Sequence, residues 1–455
     1  MFLTMKYAVV FCSFCFIFPS ELPTMNKTKE TLVIAFALFS LFFGAGNLIL
    51  PPLLGFKSGA DWWLVSLGFC LSAVLIPILG ILAHAKLQGT IFDFGKKVSP
   101  TFALIYSFII YAISIALPSP RTASVTHEIA IQPFFKTPYL VTSIIYFILV
   151  FVFVMNRSKI LNVIGKVLTP AIIIILLLIM GIATFSFPFD FGKSVFTNPF
   201  TEGILEGYQT FDAIGAVVVG GVIIISINLK KKDASYQDKK ALIGRAGWMA
   251  GLGLFLIYAG LIFTGSLMQN EFDADISRTA LLNGISIKTM GNTANLLLSM
   301  LVSLACFTTA VGIVTGTADF MRYKFGDSQK VYTITAIIGC VLGVVMGQFN
   351  VGYIIVVAVP ALALAYPVTI VLIFLNVLPE KYTSPVVFRW VVIITLLFSL
   401  PEFIHYGLGP LDIGFGGVRK MFSWIPLSEF SMGWVLPATL VFVLVNVFVN
   451  FKNEL

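Results

Sequence analysis

Residues Thr31 to Gly55 read TLVIAFALFSLFFGAGNLILPPLLG. The stretch is long enough to cross a bilayer, which takes about 20 apolar residues. It is also built to break halfway. The pattern is helical to Phe43, then comes Gly44-Ala45-Gly46-Asn47, then a second apolar run ended by Pro51-Pro52. Two glycines and an asparagine in hydrocarbon are costly unless the freed backbone groups face protein, water or a ligand. Secondary transporters build binding sites from helices interrupted in this way. The plainer reading is a Gly-rich packing kink.

The surrounding chain fits a membrane setting. It has 455 residues, 58% of them hydrophobic and 11% charged, with a mean hydropathy of +0.98. A single soluble core saturates well below that apolar content. The apolar segments are continuous runs near 20 residues, so the fold class is an all-α polytopic membrane protein; barrel strands would be about 10 residues of alternating polarity. A net charge of +8 raises the question of nucleic acid. The basic residues, however, sit in short gaps between apolar runs, where they report topology. The five cysteines, Cys12, Cys15, Cys70, Cys306 and Cys340, lie in apolar surroundings with no zinc pattern, and read as small buried hydrophobes.

Residues 1–24 form an apolar extension too short to span, and Met25 opens a more natural start; this segment is expected to be absent from the native protein. Twelve spans are expected after it, near 31–55, 62–84, 102–125, 138–156, 160–187, 203–229, 246–268, 292–320, 331–349, 351–378, 386–404 and 432–450. One set of loops holds most of the Lys and Arg, including Lys86, Lys96, Lys97, Lys230 to Lys240, Arg322, Lys324 and Arg389. That set is expected to be cytoplasmic, with both termini, and Lys230 to Lys240 to act as a retention signal. The segment 407–430 is expected outside, as a surface loop or short interfacial helix.

Span six repeats the feature of span one. Thr210-Phe211-Asp212-Ala213-Ile214-Gly215-Ala216 is a second small-residue interruption, five spans after the first. An odd offset turns the second copy upside down, the arrangement of inverted-repeat transporters. The expected units are 25–190 (spans one to five), 191–379 (spans six to ten) and two appended helices in 380–455.

A broken helix offers two kinds of partial charge. The last carbonyls of the first half suit a small cation, and the free N–H groups of the second half suit a carboxylate. Asn47 could complete a cation shell with its side-chain oxygen or cap the second half-helix. Asp212 is the acidic residue deepest in span six; it is a candidate to bind an ammonium group, ligate a cation or carry a proton, or to form a structural ion pair with Arg121. Arg121, counted at about 1.5 Å per residue from Phe102, falls roughly 28 Å along span three, near the outer surface. It is either a gate closing on Glu206 or Asp212, or a snorkelling arginine. The adjacent hydroxyls of Thr308 and Thr309 in span eight turn toward a cation or bond back to their own helix. His84, ending span two, is expected at the interface.

With these residues in view, the sequence resembles the branched-chain amino acid–cation symporter family over nearly all of 25–450. The resemblance rests on FALFSLFFGAGNLILPP in span one, Pro120-Arg121-Thr122-Ala123, Gly207-Tyr208 through Asp212 with Gly215-Ala216, and Thr309-Ala310-Val311-Gly312. It implies the LeuT-type fold of the wider amino acid–polyamine–organocation superfamily, with a 5+5 inverted repeat. It implies sodium- or proton-coupled uptake of leucine, isoleucine and valine across a bacterial inner membrane. Ser40, Phe43, Asn47, Thr308 and Thr309 would hold sodium. The substrate would meet Ala45, Gly46, Asn47, Asp212, Ala213 and Gly215, with Phe211, Ile214 and Tyr111 around its side chain. The expected partners are this amino acid and the lipid bilayer, with no nucleic acid, no obligate protein partner and no cofactor beyond the coupling ion. An enzyme or a channel is disfavoured by the lack of a catalytic motif or a repeated polar filter. The closest rival is a same-fold carrier or exchanger of another neutral amino acid.

Overall fold

The computed structural model describes residues 27–156, 160–230, 233–408 and 424–454, and among them the chain is helical with short 3-10 and π turns. The 1–24 extension, Cys12, Cys15, the start at Met25 and most of the 407–430 segment lie outside the described residues. In chain order the helices are α1 (Lys27–Phe42), α2 (Ala45–Ser58), α3 (Trp62–Cys70), α4 (Ile76–Leu87), α5 (Ile91–Gly95), α6 (Pro100–Ala116), α7 (Pro118–Thr126), α8 (Tyr139–Asn156) and α9 (Ile160–Ser186). They continue as α10 (Pro199–Tyr208), α11 (Asp212–Lys230), α12 (Tyr236–Leu267), α13 (Arg278–Lys324), α14 (Gln329–Gly347), α15 (Val351–Val377), α16 (Pro385–Leu408) and α17 (Val435–Glu454).

Among the described residues eight helical stretches are long and apolar enough to cross a membrane, and Pro170–Ser186 and Val435–Val449 are shorter apolar helices. The first and sixth expected spans, whose sequence reads as interrupted, each fall into two helices, and the third is also divided, at Leu117 between α6 and α7. The first is split into α1 and α2, the sixth into α10 and α11. The first break is narrower than expected, only Phe43 and Gly44, so Gly46 and Asn47 belong to the first turn of α2. Pro51 and Pro52 do not end that helix, which runs on to Ser58. Neighbouring segments can satisfy the carbonyls that a membrane proline frees. The second break is earlier than expected, at Gln209 to Phe211, so Asp212 opens α11.

Helix association in hydrocarbon relies on close packing at small residues, because lipid is as apolar as the side chains. The clearest case joins α2 to α12. A Cβ placed on Gly55 would lie 1.7 Å from the Ile262 carbonyl oxygen, and one on Gly265 would lie 1.9 Å from that of Pro52. The two backbones touch, which fixes α2, and with it Asn47, against α12.

The loops sort into two ends. At one, Lys86 Nζ donates to the Leu378 carbonyl at 2.5 Å, Tyr236 to that of Lys86 at 2.9 Å, and Arg389 to that of Val98 at 2.9 Å. At the other, Val195 N–H donates to the Lys57 carbonyl, Gln269 to that of Lys193, and Thr279 to Glu128. Each of these bonds joins loops that the basic-residue count assigns to one side.

Candidate functional site

The site lies where the two breaks meet. Asn47 is 2% exposed, Asp212 5% and Arg121 3%. The Asn47 side-chain nitrogen donates to Asp212 Oδ2 at 2.6 Å and also donates to the Tyr258 hydroxyl. Tyr258 in turn donates to the same Asp212 oxygen at 3.5 Å. Asn47 is therefore not a cap for α2; its amide is spent across the breach. Gly44, at the N-cap position, supplies no side-chain cap either. The first N–H groups of α2 thus keep their unpaired positive ends.

The second break is held by its own short bonds. The N–H groups of Gln209, Thr210 and Phe211 donate to the carbonyls of Glu206, Gly207 and Tyr208 at 3.0, 3.2 and 3.1 Å. Phe211 has φ of 64°, the left-handed region that a bulky side chain rarely adopts. Such conformations persist where surrounding structure over-determines them. Two contacts do so here. The Arg121 guanidinium lies 5.2 Å above the Phe211 ring, and Arg121 Nη1 donates to the Gln209 carbonyl at 2.6 Å. On the far side, the Ala213 N–H donates to the Tyr366 hydroxyl at 3.4 Å, and the Tyr366 ring stacks on Tyr208 at 4.4 Å.

Arg121 does not snorkel, and Glu206 is not its partner in this structure. It stands on α7, which begins at Pro118 after α6 stops at Ala116. Every residue of α7 from Ser119 to Thr126 is buried. The guanidinium is pressed on Gly46, where a Cβ would lie 2.4 Å from Arg121 Nη2. Among the described residues no ion pair joins Arg121 to Asp212. Glu206 instead pairs with Arg278 at 2.5 Å, both partly exposed.

The candidate cation ligands are only partly gathered. Thr308 and Thr309 both donate to the Ala305 carbonyl at 2.9 Å, which leaves their oxygen lone pairs available. Thr309 Oγ1 lies 4.0 Å from where a Gly44 Cβ would stand, and the Asn47 oxygen lies 3.8 Å from the same point. The break at Gly44 thus lies beside Thr309 of span eight, while the Phe43 ring next to it stacks on Tyr258 of span seven. Of the remaining substrate candidates, Ala45 begins α2, Ala213 and Ile214 are buried, and Gly215 is partly exposed with nothing within 4 Å of a Cβ placed there. There is room beside α11 at Gly215. Tyr111 is used elsewhere. Its ring stacks on Phe320 at 4.3 Å, and Phe320 lies about 16 Å along α13 from Thr309 at 1.5 Å per residue. His84 is not interfacial but fully buried, its ring nitrogens 3.1 Å from the Gly89 carbonyl and 2.9 Å from that of Val217. Tyr258 and Tyr366 escape a reading based on breaks and charges. The signal for Tyr258 is its place at the middle of span seven, where a phenol hydroxyl needs a partner.

A family model described as branched-chain amino acid transport protein matches residues 27–452. The chain belongs to this family. Among its relatives are the branched-chain amino acid transport system 2 carrier protein of Pseudomonas aeruginosa, 32% identical over 92% of this chain and 96% of that one. Another is the branched-chain amino acid permease BraB of Bacillus subtilis, 32% identical over 90% of this chain and 93% of that one. Among solved structures, an inward-facing conformation of Mhp1 is similar with a TM-score of 0.56 and 12% identity, covering 93% of this chain and 91% of that chain. That likeness shows the fold alone: the helices follow the arrangement of that structure over most of both chains. The family member described here is a membrane transport protein and not an enzyme.

Proposed function

We propose that the protein is a secondary active symporter that takes up leucine, isoleucine and valine with sodium by alternating access. The observation that carries this reading is the Asn47–Asp212 bond, which joins two helix breaks from spans one and six inside a branched-chain amino acid transport family. The names of the relatives support the substrate class. Paired helix breaks near mid-membrane are how such carriers bind small zwitterions and cations together.

On this reading twelve spans form two inverted five-helix units and two appended helices, with both termini cytoplasmic in a bacterial inner membrane. Sodium binds at the end of α1 with Thr308, Thr309 and Asn47. The amino acid then displaces the Asn47–Asp212 contact, and its branched side chain occupies the room by Gly215, Ile214 and Phe211. A membrane potential of about 100 mV adds roughly 2.3 kcal/mol per charge carried inward. Asp212 would take the coupling ion's place if the ion were a proton.

The test is radiolabelled leucine uptake into proteoliposomes under an imposed sodium gradient or an imposed proton gradient. Valine and isoleucine should compete and alanine should not. Uptake that follows only the proton gradient would remove sodium from the scheme. Counterflow with no gradient at all would replace symport by exchange.

A further inference from the structure

We infer that Arg121 is the carboxylate-binding residue of the substrate site, and that the site reads its ligand as a zwitterion, with Arg121 and Asp212 facing its opposite ends. The inference rests on the carrier reading above and gives Arg121 a role other than gating.

Three observations lead to it. First, among the described residues a guanidinium that is 3% exposed has no carboxylate partner, and its Nε has no hydrogen-bond partner. A buried arginine left in this state is expensive, because its charge has lost water and gained no counter-ion. The protein supplies one carbonyl, that of Gln209, and one aromatic face, that of Phe211. Neither carries a full negative charge.

Second, the guanidinium lies against the start of α2. It approaches Gly46 more closely than any side chain there would allow. The 14-residue helix α2 has no side-chain cap, so its free N–H groups and the arginine converge on the same space. A helix start and a planar fork of donors favour the same ligand, an oxyanion with two oxygens.

Third, Asp212 stands at the same helix break whose Gln209 carbonyl Arg121 binds, and among the described residues it does not pair with Arg121. The Asp212 carboxylate accepts from the neutral donors Asn47 and Tyr258, and its backbone N–H donates to the Thr210 hydroxyl. Asn47 donates to Asp212, while its neighbour Gly46 lies against the Arg121 guanidinium. If their purpose were structural, a direct ion pair would stabilise the fold at less desolvation cost. Unpaired with each other, they match the two ends of an α-amino acid. A ligand that lacks either end leaves one buried charge unpaired, which makes the site selective.

The test compares leucine with leucinamide and isopentylamine, which keep the ammonium and the branched chain but lose the carboxylate. In proteoliposomes of the wild-type protein both analogues should inhibit leucine uptake about 100-fold more weakly than unlabelled leucine does, given the strength of hydrogen bonds to charged groups. In Arg121→Gln that gap should close, because leucine loses affinity and leucinamide does not. Arg121→Lys should restore part of it. A merely structural arginine would change the amount of folded protein, read by gel filtration and melting temperature, and leave the gap intact. Equal inhibition by leucinamide in the wild type, or a persistent gap in Arg121→Gln, overturns the inference. Equilibrium binding of labelled leucine to the detergent-purified protein, competed with leucinamide, reads the carboxylate site without transport. Binding lost in Arg121→Gln supports the assignment even if no leucine uptake is seen; binding unchanged in Arg121→Gln defeats it.

Discussion

Asn47 donates its amide to Asp212 at 2.6 Å across 165 residues of sequence, and this bond ties the start of α2 to the start of α11. It joins the breaks of the first and sixth spans. Both side chains are buried, so their contact must open before a ligand can take its place.

Asn47→Ala removes the donor to both Asp212 and Tyr258. A hydrogen bond to a buried charge is worth about 2 kcal/mol, so Vmax/KM for leucine should fall roughly 30-fold. Uptake within a factor of about two of wild type in proteoliposomes would show that the bond is incidental to transport.

Tyr258→Phe keeps the ring packing against Phe69 and Phe43 but deletes the hydroxyl. The loss should be smaller than for Asn47→Ala, about 1 kcal/mol. Because the two residues share one network, the double variant should fall short of the summed single effects by at least about 0.5 kcal/mol. Strict additivity in leucine KM would mean the phenol acts independently of Asn47.

Thr309→Ala should raise the sodium concentration for half-maximal uptake about tenfold, the loss of one ligand's worth of affinity. Among the described residues its hydroxyl bonds only to the Ala305 carbonyl of its own helix, so the melting temperature should shift by less than about 2 °C. An unaltered sodium dependence would take Thr309 out of the cation site.

Gly55→Ala forces a methyl into the Ile262 carbonyl and should cost about 2–3 kcal/mol, seen as a lower melting temperature and lower yield. Gly215→Ala meets nothing within 4 Å and should leave stability unchanged while weakening leucine uptake, since the new methyl occupies the proposed side-chain space. Full uptake by Gly215→Ala would move that space elsewhere.

Glu206 and Arg278 are each about a quarter exposed, so their ion pair contributes at most about 1 kcal/mol. Glu206→Gln and Arg278→Gln should each alter initial uptake by less than about fivefold, with the double variant no worse than either single. A loss of a hundredfold in one single variant, rescued by the charge swap, would make this pair the outer gate after all.

Much of the site can be read along the chain because its strongest signals are local. Gly44-Ala45-Gly46-Asn47 interrupts an apolar run, and Asp212 is an acidic residue where hydrocarbon should be; both anomalies stand out in the one dimension. Tyr258 and Tyr366 do not, because a tyrosine in a membrane helix is ordinary until the partner of its hydroxyl is known. Arg121 reads along the chain as a residue near a span's end, and only the packing shows it buried against Gly46. His84 reads as interfacial from its position at a helix end, whereas the Gly89 turn and α11 fold over it.

The amino-acid sequence alone determined the all-helical membrane class, the interrupted first and sixth spans and the family, since hydropathy and helix-breaking residues act on their own segment. The tertiary structure decided where each break falls, that Glu206 pairs with Arg278, that Tyr111 stacks on Phe320, and that Arg121 lies against Gly46 without a counter-ion among the described residues. Those outcomes depend on which helices touch. Burial within the bundle, rather than position along a span, sets the energy of a polar group there, and burial is a property of the packed chain.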